Sequence, residues 1–100
     1  MLRERYCDSN QVAALSKLGF IKMDDLDETR LTHQAALDVF DENGVYIEID
    51  VYGINKPRFG YTIVIDGEFV GDDEDMFSKR GEATSAAITC CCEYLLKKNA

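Results

Sequence analysis

Apolar positions recur along this chain with two different periods, and the switches between them mark the elements. In "SNQVAALSKLGF", Val12, Leu15 and Leu18 fall at helical spacing behind Ser9, which suits an N-cap, and ahead of Gly19, which suits a left-handed C-terminal position. A helix over 10–18 is predicted, with Phe20 folding back on its last turn and a short extended piece over 20–23. The next stretch, "DDLDETRL", is dense in carboxylates and has little that would enter a core, so it reads as a solvated linker. A second helix is expected from the N-cap Thr32 to Glu42, with Ala36, Leu37 and Phe40 on one face and Gly44 as its stop.

The period then drops to two. Val45, Ile47, Ile49 and Val51 alternate with Tyr46, Glu48, Asp50 and Tyr52, which predicts a strand with one apolar and one wet face. "GINKPRFG", bounded by Gly53 and Gly60 and holding Pro57, is expected to be a loop into the strand "YTIVID". Asp66-Gly67 signals a tight hairpin returning through "EFVG", and the acidic run Asp72, Asp73, Glu74 and Asp75 reads as a solvated turn. From Ser78 the helical period returns in Ala83, Ala86, Ala87, Cys90, Cys91, Tyr94 and Leu95, up to Lys97 and Lys98. The fold class is therefore α+β: an N-terminal helix, then α-β-β-β-α with a three-stranded antiparallel meander packed on helices. A single domain over 1–100 is expected, with a helix and acidic linker over 1–31 and the core over 32–98. That core should bury Val45, Ile47, Ile49, Val51, Ile63 and Ile65 against the helices from Thr32 and Ser78.

Composition narrows the class further. A chain of 100 residues with 46% hydrophobic and 30% charged residues matches an ordinary globular domain, which excludes collagen-like repeats and disorder throughout. No stretch reaches the length of a membrane span, and "MLRERYCDSN" lacks the apolar centre of a signal peptide, so a cytoplasmic location is expected. The net charge of −8 opposes approach to a phosphate backbone and favours a basic partner. Four cysteines, Cys7 and the run Cys90, Cys91 and Cys92, are too crowded for a disulfide framework and read as reduced thiols.

Candidate chemistry is sparse. Successive helix residues point about 100° apart, so Cys90, Cys91 and Cys92 cannot converge on one tetrahedral metal ion. Cys90 and Cys91 are expected in the core, Cys92 nearer the rim, and Cys7 in a terminal segment open to reagents but with no cationic setting in the sequence that would lower its pKa, so it carries no catalytic role. Residues 72–75 lack the ligand spacing of a calcium loop, and His33 has no evident nucleophile or base as partner. There is no phosphate-cradling glycine loop, no nucleophile elbow and no paired-cysteine zinc spacing, so neither catalysis nor a cofactor or metal is expected. Tyr46 and Tyr52, beside Glu48 and Asp50, have two readings: a contact surface, or residues covered by the N-terminal helix.

Two resemblances bear on origin. The order of elements over 32–98, with "SKRGEATSAAITCCCEYLL" as last helix, resembles the double-stranded RNA-binding domain. That resemblance implies phosphate contacts at the start of the last helix, where Lys79 and Arg80 stand, and groove contacts from the loop carrying Lys56, Pro57 and Arg58; Gly81 and Thr84 occupy positions where that family carries lysines. "THQAALDVF" with "EATSAAITCCCEYLL" is also similar to small uncharacterised proteins of phages and mobile elements of gut Bacteroidales, through Thr32, His33, Gln34, Glu82, Ala83, Ala87, Leu95 and Leu96. It implies a fold and a genetic origin.

Together these readings give a non-enzymatic interaction protein whose partner is a protein, with no membrane contact. The expected contact residues are Tyr46, Tyr52, Asp72, Asp73, Glu74 and Asp75. The alternative is a weak nucleic-acid binder using Lys56, Arg58, Lys79 and Arg80.

Overall fold

A computed structural model describes residues 6–22, 31–53 and 55–98, with 72–76 described through their backbone alone. The elements run α1 (Ser9–Lys17), α2 (His33–Glu42), β1 (Val45–Tyr52), β2 (Arg58–Ile65), β3 (Glu68–Phe77) and α3 (Arg80–Lys98). The architecture is α+β, with the strands forming an antiparallel meander in the order β1-β2-β3. The acidic linker expected over 24–31 and the end of the extended piece at Met23 lie, apart from Leu31, outside the described residues.

Local chemistry explains each boundary. The N-cap of α1 is Asp8 and not Ser9: its Oδ1 accepts the Gln11 N–H at 2.8 Å, while the Asp8 N–H donates to Gln11 Oε1 at 2.9 Å. This reciprocal capping box satisfies two donors at once, which a serine cap alone does not. At the other end Gly19 takes φ +79°, and the N–H groups of Gly19 and Phe20 donate to Ser16 and Leu15 carbonyls at 2.9 and 3.0 Å. These are the two bonds of a Schellman motif. They turn Phe20 back so that its ring meets Phe40 edge-on at 5.9 Å, and residues 20–22 consequently do not form the extended piece that was expected.

Helix α2 starts where expected, with Thr32 Oγ1 accepting the Ala35 N–H at 3.0 Å. Asp66 and Gly67 both have positive φ, +53° and +82°, as the tight turn between β2 and β3 requires. Strand β3 does not stop after "EFVG": its backbone continues through Phe77, so the run 72–75 is strand and not turn. Two register irregularities let it do so, since β-bulges absorb residues that alternation alone would misplace.

Helices α2 and α3 pack on one face of the sheet and α1 packs on α3. Phe40, Ile63, Ile88 and Cys91 are fully buried between sheet and helices, joined by Val12 and Leu15 from α1. Two expectations are corrected by this arrangement. Val51 is 52% exposed rather than core, and Ile47 and Ile49 are half-buried, because helix cover fades along β1 away from Val45. On α3 the buried stripe runs through Ala83, Thr84, Ala87, Ile88, Cys91, Cys92 and Leu95, leaving Ala86 and Cys90 half-buried and Tyr94 exposed. The stripe is rotated because α1 adds a second packing partner on the Cys92 flank.

Candidate interaction surfaces

The face of the sheet opposite the helices carries a row of large side chains. Strand register sets Tyr46 opposite Val64 and Val64 opposite Phe69, so the row crosses all three strands. Tyr46 is 54% and Phe69 63% exposed. Single exposed apolar residues are ordinary, but a contiguous row across a sheet is the form a contact surface takes. The next rows are acidic or polar: Glu48 opposite Thr62, which itself faces Asp72, and Asp50 opposite Gly60. Thr62 Oγ1 donates to Asp50 Oδ2 at 3.0 Å, fixing that carboxylate on the sheet. Tyr52 lies opposite Arg58 at the far end of the same face.

Cover by the N-terminal helix is not what happens. Gln11, buried within α1, places its Nε2 within 2.9–3.0 Å of Ser85 O, Ser85 Oγ and Thr89 Oγ1, clamping α1 to α3 on the helical side. Tyr46 is thereby left on the open face. The side chains of Asp72, Asp73, Glu74 and Asp75 lie outside the described residues; their backbone belongs to β3, with Asp72 and Asp73 opposite Thr62 and Tyr61. Val64 and Phe69 are the residues that sequence reasoning missed. The hairpin held the signal, because a two-residue turn at 66 and 67 forces 64 and 69 into register on one face.

The four candidate cations gather at one end of the sheet. Lys56 and Arg58 lead into β2, whose Phe59 faces Phe77 of β3, and Lys79 and Arg80 follow immediately. All four are exposed. The Arg80 guanidinium lies 5.1 Å from the centroid of the Phe59 ring, a cation–π contact that orients it across this end.

A third feature is an open groove of about 730 Å³ along α3, walled by Tyr6, His33 and Tyr61 and carrying Glu82, Cys90 and Glu93. His33 thus lines the same open groove as a thiol and two carboxylates, a placement that the sequence did not disclose. The remaining thiols are less accessible. Cys7 is not in an open terminal segment: its N–H donates to Leu31 O at 2.8 Å, it is buried, and burial with the neighbouring Asp8 carboxylate pushes its pKa up to about 11. Burial likewise raises Cys91 and Cys92 to about 12, so Cys92 belongs to the core and not to the rim. Among the described residues, no three His, Cys, Asp or Glu side chains gather as metal ligands, and no helix is long and apolar enough to cross a membrane. Comparison with known protein families, curated proteins and solved structures finds no match to this chain.

Proposed function

We propose that the protein is a binding module for another protein, engaged through the open sheet face around Tyr46, Val64 and Phe69. The observation that supports this most directly is the uncovered row of apolar side chains, flanked by Glu48 and Asp50. An apolar centre with a charged rim is the usual anatomy of a reversible interface. With a net charge of −8, the fitting partner presents an apolar patch ringed by lysine and arginine. In this reading the partner is a phage or host protein, a proposal that rests on the resemblance drawn from the sequence alone.

The test is affinity capture with the wild type and with the folded double variant Tyr46→Ser/Phe69→Ser. A partner of this face is retained by the wild type, lost with the variant, and released as salt rises. Truncating anchor residues of this kind costs about 2 kcal/mol each, or roughly thirtyfold in affinity. Recovery of the same proteins by both forms, insensitive to salt, overturns the reading.

A second reading has its own observation, the gathering of Lys56, Arg58, Lys79 and Arg80 at one end of the sheet. Such a patch acts semi-independently of carboxylates beyond the ~8–10 Å screening length. At a slope of about −0.9 per phosphate, four contacts lose roughly two decades of affinity between ~50 and ~200 mM salt. Duplex RNA and DNA titrated at low salt, with Lys56→Glu/Arg80→Glu as control, decide it: no binding, or binding that the variant leaves unchanged, rejects a nucleic-acid role.

A further inference from the structure

Among the described residues, strand β1 forms one edge of the sheet and pairs with β2 alone. Alternate residues of an edge strand direct their N–H and C=O groups away from the sheet, where they form a template for another strand. Proteins usually blunt such edges, and the two edges here differ in that respect. Strand β3 has two breaks in its register with β2 and carries the run of four acidic residues over 72–75. Strand β1 keeps unbroken register over all eight residues, with neither proline nor bulge.

The side chains of β1 describe what would lie beside it. Val45, Ile47, Ile49 and Val51 all point to the helix-covered face, yet exposure climbs from 1% at Val45 to 52% at Val51. An incoming strand would cover the half-buried Ile47 and Ile49 and the exposed Val51 with apolar residues of its own. On the outer face it would meet Glu48 and Asp50. A second copy of this chain is a poor occupant, because antiparallel pairing of β1 with itself sets these carboxylates against one another between molecules that each carry a charge of −8.

We infer that the free edge of β1 takes up, as a fourth strand, an extended segment of another protein in which lysine or arginine alternates with β-branched residues. Main-chain hydrogen bonds supply the affinity and the alternation supplies the selectivity. The inference rests on the protein-binding reading above but uses the backbone edge of β1 and not the Tyr46–Val64–Phe69 row.

The experiment uses the full chain and two short end-blocked peptides, one alternating valine with lysine and one alternating valine with glutamate, read by hydrogen exchange of individual amides. The lysine peptide is expected to slow exchange at alternate amides of β1 by at least about tenfold, with the protection fading as salt rises. The glutamate peptide is expected to do nothing. The variant Glu48→Lys/Asp50→Lys, altered on the outer face of β1 where Asp50 also gives up its bond from Thr62, should exchange the two preferences. Tyr46→Ser/Phe69→Ser should still protect β1 with the lysine peptide, which separates this inference from the open-face reading. Protection at β3 or nowhere, equal response to both peptides, or β1 amides already protected in a dimer without peptide would each overturn it.

Discussion

Gln11 shows how much one side chain can fix. Its Oε1 closes the capping box with Asp8 and its Nε2 reaches Ser85 and Thr89, so a single residue both starts α1 and docks it. Gln11→Ala leaves Asp8 capping the residue-11 N–H but removes the reciprocal bond to the Asp8 N–H and the buried bonds to α3, and should cost about 1–3 kcal/mol, read as a lower urea midpoint with unchanged slope. The thiols give a pH dependence of defined sign. Cys7, Cys91 and Cys92 have folded-state pKa values raised by burial from 9 to about 11, 12 and 12. The folded state thus holds these protons more tightly than the unfolded chain. Their contribution is fully present below pH 9 and is lost as pH rises from there through 11 to 12. Melting temperature should fall over that window, and Cys92→Ala should flatten the fall even if it lowers the plateau. The sequence placed Cys91 in the core, where it is, but exchanged Cys90 with Cys92 and left Cys7 in an open terminus. Neighbours in one helix differ only by rotation, and α1 decides the rotation that is buried.

At the scale of elements, β1 shows what alternation does and does not say. It assigned Val45, Ile47, Ile49 and Val51 to one face, as the register confirms, but cover along a strand depends on where the helices lie. Aspartate at Ile63, which is fully buried opposite Ile47, should abolish cooperative unfolding by leaving an uncompensated charge in the core. Val51→Asp should shift stability by no more than about 0.5 kcal/mol, since that side chain already meets water. The loop after β1 depends on Gly53, whose φ is +84° and whose position would set a Cβ 2.9 Å from the Lys56 carbonyl oxygen. Gly53→Ala combines a disfavoured backbone with a contact against main chain and should cost about 2 kcal/mol, measured by thermal melting.

At the scale of the molecule, the buried cluster runs without a gap from α1 through the sheet to α3. Leu15, fully buried, is the reporter of that continuity. Leu15→Ala should lower stability by about 2–5 kcal/mol, with backbone circular dichroism and tyrosine fluorescence still melting together. Separate transitions would show that α1 unfolds independently. The sequence by itself determined the elements that local chemistry governs: α2 from its threonine cap, the strand period of β1, the Asp66-Gly67 hairpin and the helical period of α3, though not the rotation of its buried face. It also held the net charge of −8 on which the proposal of a basic partner rests. Only the tertiary structure decided that α1 covers α3 and not the tyrosines, that β3 runs on through the acidic residues, and that Tyr46 joins the Val64–Phe69 pair set by the hairpin. It also brought Lys56 and Arg58 to Lys79 and Arg80. The physical reason is range: caps, turns and periodicity act within a few residues, whereas register across strands and the side on which a helix docks depend on contacts between distant segments. Gln11, which meets Ser85 and Thr89 across more than seventy positions of chain, carries no mark of that meeting in the residues around it.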